Sequence, residues 1–395
     1  MSLLANRLKP LKPSPTLAVS QKARELKAQG KDIIDLGVGE PDFDTPLHIK
    51  QAAIDAITQG ETKYTPVDGI LPLKKAIQQK FLEDNQLQYD LDQILVSNGA
   101  KHSLFNALYA SVNPGDEVII PAPYWVSYVD MVLLCEGVPK IIECPEKNRF
   151  KMSALQLKEA ITSKTKWVIL NSPSNPTGEV YSKEEWMSLL EVLRQNPHVM
   201  LLSDEIYEKL LFDSSAPLSP AALAPDLKER IVTINGVSKS FAMTGWRIGY
   251  CAGPKILINA MKDVQSHMTS NPCSISQHAA LKALTGSMDF MKDWVKAYIE
   301  RRDFMVEAIN KINGLKCLAS QGAFYLYVNC EGIIGGTLKN DQDVSNYFLE
   351  NGVACVPGSA FGLSPYIRLS YATSMNNLNI AVERLKTACG FLEKY

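Results

Sequence analysis

Short aliphatic and β-branched runs alternate with longer amphipathic stretches through the first three quarters of the chain. Residues 93–97 (QILVS), 117–120 (EVII), 166–170 (KWVIL), 199–203 (VMLLS) and 231–234 (IVTI) read as strands. The first three are followed by NGAKHSLFNALYASV, by PAPYWVSYVDMVL, and, after a loop, by KEEWMSLLEVLRQ, each with the spacing of an amphipathic helix. Strands this apolar have both faces covered, so the rhythm predicts an α/β fold: a large domain with a mostly parallel sheet flanked by helices.

The pattern changes after about residue 290. A long helical stretch, DWVKAYIERRDFMVEAINKI, leads into the short strands FYLYVN and YIRLSYA and a final helix, which predicts a smaller α+β domain. Near the start, DIIDLG reads as a short strand that runs into the turn-rich GVGEPDFDTP. The expected division is an N-terminal arm over residues 1–43 packing with the small domain, a large cofactor-binding domain over 44–290, and a small C-terminal domain over 291–395.

Composition narrows the function classes. Lysine and arginine (41) nearly cancel aspartate and glutamate (42), so no global field exists to hold nucleic acid or an anionic membrane, and any anion site must be local. No run reaches the length of a membrane span, and MSLLANRLKPLKPSP lacks the apolar core of a signal peptide. The eight cysteines form no CxxC and no metal-ligand spacing with histidine, and they read as reduced core thiols of a cytoplasmic protein.

Ligands of an open parallel sheet bind beyond the carboxyl ends of its strands. The residues that follow the predicted strands are Asn98, Gly99, Ala100 and Lys101; Pro123, Tyr124 and Trp125; Asn171 and Asn175; Asp204 and Tyr207; and Ser238, Lys239 and, slightly later, Arg247. Lys239 is the unusual member, because the stretch VSKSFAMTGWRIG around it lies between two apolar runs. A lysine shielded from water and close to other cations is held less firmly in its charged form, and its free amine is a nucleophile.

The set suits a planar, phosphorylated, electron-withdrawing cofactor attached through that amine. Asp204 would keep a ring nitrogen protonated, Tyr207 and Asn175 would hydrogen-bond a ring oxygen, and Trp125 would stack on the ring. The amides of Gly99, Ala100 and Lys101 open a helix and make an anion site, to which Ser238 and Arg247 add a hydroxyl and a guanidinium. Arg368, inside an apolar strand, needs a partner such as a substrate carboxylate. Taken singly, Asp204 could be a helix cap for DEIYEKL, Trp125 a core residue, and Arg247 the partner of any acid. Those readings do not account for the ordered recurrence of such groups at successive strand ends.

The segments KPSPTLAVSQKARELKAQG, GVGEPDFDTP, TKYTPVDGI, NGAKHSLFNAL, PAPYWVSY, NSPSNPTGEVY, SDEIYEKL, NGVSKSFAMTGWRIGY, QGAFYLYV and IRLSYA run almost end to end. In that order they resemble the pyridoxal-phosphate enzymes of fold type I, the class I aminotransferases, and among these the aspartate aminotransferases of the bacterial subgroup. The resemblance implies that Lys239 carries pyridoxal 5'-phosphate and that Asp204 pairs with its ring nitrogen. It further implies that Tyr207 and Asn175 bind the ring oxygen, that Trp125 stacks, and that Ser238 and Arg247 hold the phosphate.

Tyr64 would reach the phosphate of a second subunit, so a homodimer with shared active sites is implied. Arg368, Asn175 and the backbone of Gly39 would hold the substrate α-carboxylate, and the bonds Ala122–Pro123 and Asn175–Pro176 would be cis. One position departs: Gly236 stands where many relatives have a serine.

The implied reaction is ping-pong transfer of an amino group from L-aspartate to 2-oxoglutarate, with Lys239 moving the Cα proton. Lys101, Ser14 and Thr16 occupy the positions associated with the distal carboxylate of a dicarboxylic substrate, and the arm bearing Ser14 and Thr16 would close over it. The same positions occur in relatives that transaminate prephenate, and a carbon–sulfur lyase would share Lys239 and Asp204. A nicotinamide dehydrogenase is disfavoured because Gly37–Val38–Gly39 is followed by Asp42 where GxGxxG needs glycine. A regulator of transcription on the same fold is expected to carry a DNA-binding module, whereas only a dozen or so residues precede KPSPTLAVSQ and the net charge is near zero.

Overall fold

The structure is a computed structural model that describes residues 3–11, 15–212 and 217–392, with the side chains of residues 15–17 also outside the description. Its main sheet has seven strands: β1 (Ile94–Ser97), β2 (Glu117–Ala122), β3 (Val138–Glu143), β4 (Thr165–Asn171), β5 (Met200–Asp204), β6 (Ile231–Gly236) and β7 (Gly249–Ala252). They lie in the order β1-β7-β6-β5-β4-β2-β3. All run parallel except β7, which pairs antiparallel with both β1 and β6.

The five predicted strands are present, within a mostly parallel α/β sheet. Two more complete it. RIGYCAG contains β7, an apolar run that the sequence leaves unassigned because it follows β6 without an intervening helix. β3 is an edge strand whose side chains are only partly buried. Lys140 and Glu143 mark that edge as one that discourages further pairing.

Alternation along each strand sends neighbouring side chains to opposite faces. Val168 and Leu170 pack on one side with Val96, Ile119 and Leu201, under the helices Leu47–Thr58, Leu71–Asn85, Lys183–Gln195 and Ser274–Thr285. Trp167 and Ile169 pack on the other with Leu95, Ile120 and Leu202, against the helices Ala100–Tyr109, Ser127–Leu134 and Lys255–Met268. Both faces are dry, which is why the strands read as continuous apolar runs.

A second sheet joins β8 (Lys316–Cys317), β9 (Tyr325–Asn329), β10 (Val356–Pro357) and β11 (Tyr366–Ser370), antiparallel throughout, in the order β10-β11-β9-β8. Its core takes in the helices Phe290–Ile309, Asp341–Glu350 and Met375–Leu392 together with Leu36, Ile206, Tyr207 and Leu210. Ile34–Asp35 pairs in parallel with Val353–Ala354, so the chain's early strand is stitched to its C-terminal part. Phe43 stacks on Trp294 with ring centroids 4.6 Å apart, and Asp42 meets Arg301 at 2.7 Å.

Seven of the eight cysteines are buried, and Cys273 is the correction, since it is exposed just before the helix Ser274–Thr285. Its context NPCSIS is a bend that leads into that helix rather than an apolar strand, which is why it escapes the core. Asp204 is corrected as a helix cap, because DEIYEKL folds as turns. Its Oδ1 instead accepts from the Ile206 amide two residues on, at 3.3 Å. Peptide bonds before Pro123, Pro173, Pro176 and Pro365 are cis, two of them anticipated.

One buried ionic knot ties the helix Leu71–Asn85 to the turn after β5. Lys80 pairs with Glu208 and donates to Asn85 Oδ1 at 2.7 Å, while Asn85 Nδ2 donates to the second Glu208 oxygen at 2.8 Å. Removing one member of such a pair strands the other charge in a dry environment. Glu208→Ala is therefore expected to lower the unfolding free energy by about 3–5 kcal/mol. A urea titration would show this as an earlier midpoint at unchanged slope, and an unmoved midpoint would mean that the knot does not contribute.

Candidate active site

The carboxyl ends of β1, β2, β4, β5 and β6 deliver their following residues to one rim, where they meet β9, β11 and the Gly37–Gly39 turn. At its centre is Lys239, partly buried, whose Nζ donates to the Gly39 carbonyl at 2.5 Å. The same nitrogen lies 5.7 Å from the centroid of the Tyr207 ring and 5.9 Å from that of Phe324. Loss of hydration draws its pKa down to about 8; Arg368 and Arg247 act in the same direction, while Glu40 and Asp204 oppose them.

Asp204 ends β5 and is 4 % exposed. Burial pushes its carboxyl up to about 6, against the stabilising effect of the Tyr128 hydroxyl, the Ile206 amide and Lys239. Tyr128 donates to Asp204 Oδ2 at 2.6 Å and meets Trp125 edge-on, with centroids 5.4 Å apart. A second cation placed beside Asp204 would restore the carboxylate to its ordinary range.

Across the rim, Arg368 projects from β11 and is 2 % exposed. Its partners are neutral: Nη1 donates to Asn175 Oδ1 at 3.0 Å and Nη2 to the Gly37 carbonyl at 2.5 Å. The guanidinium also lies over the rings of Tyr325 and Phe361, at 4.6 and 5.0 Å. Among the described residues its Nε has no partner. A buried guanidinium with a spare donor suits a carboxylate.

Asn175 is held by its own amide, which donates to Asn171 Oδ1 at 2.8 Å, and Asn171 in turn donates to the Asp204 carbonyl at 2.8 Å. The ends of β4 and β5 are thus tied together. Tyr207 shares a hydrogen with Tyr325 across 2.8 Å between their hydroxyl oxygens.

An anion cradle forms where β1 turns into the helix Ala100–Tyr109. Gly99 has φ +87°, and a Cβ there would stand 2.2 Å from Arg247 Nη2. Glycine is therefore required both by the backbone and by the guanidinium that lies against it. A Cβ on Gly249 would likewise fall 2.1 Å from the Ala100 amide nitrogen.

The first amides of that helix have no partners within it. Arg247, itself at φ +56°, is steadied by its Nη1 bond to the Thr244 carbonyl at 2.7 Å. Ser238 is buried beside Lys239. Open helix amides, a guanidinium and a hydroxyl fit a phosphate. With the amine, the buried carboxylate and the half-buried Trp125, the donor set fits pyridoxal 5'-phosphate.

The departure at Gly236 has a physical reason. A Cβ there would meet Gly249 Cα and the Ile206 side chain at 3.1 Å and the Ile248 carbonyl at 3.2 Å, so a serine would be crowded.

Lys101 lies with its Nζ 4.8 Å from the centroid of the Trp125 ring, a cation–π contact at the mouth of the rim. Tyr64 is 92 % exposed and makes no part of the cluster within one chain. Ser14 lies outside the described residues, as does the side chain of Thr16. The structure brings the other candidates together.

Two residues of the cluster went unread in the sequence. Tyr128 stands one helical turn beyond Trp125, a spacing that could have revealed it. Tyr325 carries no local signal, since FYLYVN is an ordinary core strand.

Comparison with known proteins agrees with this geometry. Residues 31–385 match the family "Aminotransferase class I and II". The chain is 52% identical to an aspartate aminotransferase of Rhizobium meliloti (strain 1021), over 98% of this chain and 96% of that one. It is 52% identical to a probable aspartate/prephenate aminotransferase of Rickettsia bellii (strain RML369-C), over 99% of this chain and all of that one. The aspartate aminotransferase of Thermus thermophilus, solved with maleate, superposes with a TM-score of 0.94 at 43% identity, covering 98% of this chain and 100% of that one. Matched from end to end in sequence and in fold, the chain belongs to the class I and II aminotransferases and is an aminotransferase of fold type I.

Proposed function

We propose that the protein transfers the amino group of L-aspartate to 2-oxoglutarate, giving oxaloacetate and L-glutamate, with pyridoxal 5'-phosphate as cofactor. The observation that carries this reading is the Lys239 amine, drawn down to about 8, facing a buried Arg368 that has a spare donor. When bound, the cofactor supplies an electron sink for the bond broken at the substrate Cα. Lys239 would hold it through Nζ, and the same nitrogen would take the Cα proton.

Asp204, held by Tyr128, keeps a positive charge on the ring nitrogen. Tyr207 and the Asn175 side-chain amide nitrogen hold the ring oxygen, and Trp125 covers the ring. Gly99, Ala100, Lys101, Ser238 and Arg247 hold the phosphate, joined by Tyr64 from a second copy in a homodimer. Arg368, Asn175 and the Gly39 backbone orient the α-carboxylate.

Lys101 supplies the cation for the distal carboxylate, together with Ser14 and Thr16. Maleate, the compound named with the Thermus structure, is a dicarboxylate, which supports a dicarboxylic substrate. Prephenate, named for the Rickettsia relative, is a second dicarboxylic 2-oxo acid that Lys101 could receive.

We further infer a large cofactor-binding domain over 44–290, with the arm 1–43 and the small domain 291–395 packing together. The setting is the cytoplasm; among the described residues no helix is long and apolar enough to cross a membrane.

Adding L-aspartate alone to the yellow holoenzyme is expected to convert its visible absorbance to that of the amine form, since the first half-reaction needs no acceptor. A yellow protein that ignores aspartate would refute the substrate. Lys101→Ala should lower kcat/KM for aspartate by roughly 10-fold to 100-fold, about the value of a charge-assisted hydrogen bond, while an unchanged value would remove Lys101 from substrate recognition. Because the free amine captures the cofactor, the rate of capture by apoenzyme should rise about tenfold per pH unit below 8 and level above it. Stopped-flow absorbance would read this, and a rate that keeps rising about tenfold per unit through pH 9 would contradict the lowered pKa.

A further inference from the structure

Tyr325 opens β9, is fully buried, and touches both halves of the proposed site. Its hydroxyl lies 2.8 Å from that of Tyr207, and the face of its ring lies 4.6 Å from the Arg368 guanidinium. The geometry points to Tyr325 as a positioning residue that serves the two ends of the reaction separately: its hydroxyl orients the Tyr207 proton toward the cofactor ring oxygen, and its ring seats Arg368 for the substrate carboxylate. The inference rests on the reading of the site given under Proposed function.

Two phenols share a single hydrogen along the line between them. If Tyr207 spends its own hydrogen on an anionic ring oxygen, its oxygen must accept from Tyr325, and a donor that is itself accepting is the stronger for it. The charged groups facing the two phenols are Arg368 from β11, Lys239 from the loop after β6, Asp204 at the end of β5 and Glu40 from the N-terminal turn. The neighbouring turn is also shaped around this hydroxyl, because a Cβ on Gly39 would lie 2.8 Å from it. That turn carries the Gly37 carbonyl bound by Arg368 and the Gly39 carbonyl bound by Lys239.

Tyr325→Phe removes the hydroxyl and keeps the ring, whereas Tyr325→Leu removes both. The visible absorbance of bound pyridoxal phosphate changes when the cofactor takes up a proton, and a weaker donor at the ring oxygen leaves that oxygen more basic. The Phe variant should therefore move the spectral midpoint upward by roughly half to one pH unit, the effect of one hydrogen bond of ordinary net strength. Its KM for aspartate should stay within about twofold of the parent, because the seat of Arg368 is intact. The Leu variant should show the same midpoint shift and also raise KM by roughly fivefold or more, through loss of the cation–π contact.

An unmoved midpoint in the Phe variant, or a KM that rises as much with Phe as with Leu, would overturn the division of labour. Failure of the underlying reading would look different: the parent protein itself would gain no visible absorbance with pyridoxal phosphate. Circular dichroism of both variants guards against misfolding. If the Leu variant unfolds, the Phe midpoint alone decides.

Discussion

The cost of keeping cations out of water governs this molecule. Lys239 and Arg368 are brought into one enclosed rim, and desolvation of an unpaired charge runs to several kcal/mol. The two residues meet that cost differently. Lys239 loses affinity for its proton and rests on the Gly39 carbonyl. Arg368 keeps its charge with only neutral acceptors and two ring faces around it. Both arrangements are incomplete, and each is of the kind that an incoming anion or carbonyl compound would complete.

The surroundings are organised around that incompleteness. Asn171 ties the ends of β4 and β5, Tyr128 steadies Asp204, and Tyr325 supports Tyr207 while lying beneath Arg368. Glycines do the opposite work of making room. Gly99 admits the Arg247 guanidinium, Gly249 admits the Ala100 amide, and Gly39 admits the Tyr325 hydroxyl. Strand ends supply the precision: β2, β4, β5 and β6 each lie between two hydrogen-bonded neighbours, and β1 is held by β7 on one side, with apolar packing on both faces of the sheet.

The fold's layers follow from simpler rules. Strands with both faces buried read as unbroken apolar runs, so β1, β2, β4, β5 and β6 were legible. So were the residues that come next in the chain, because a parallel sheet presents all its carboxyl ends on one edge. β7 was not legible, since an antiparallel neighbour needs no helical crossover to announce it. β3, an edge strand with charged side chains, lacked the apolar signal for the opposite reason.

The sequence by itself determined the order of the strand ends, and with it the identity of Lys239, Asp204, Tyr207, Asn175 and Arg247 as a set. It also marked Arg368 as a cation in need of a partner. Only the tertiary structure decided which groups touch. Gly37 lies 331 residues from Arg368, which sits on a different strand from Tyr325, and no local periodicity encodes that β9 and β11 bring them against the rim. Local patterns carry the period of a strand or helix, whereas contacts between distant segments depend on how whole layers pack.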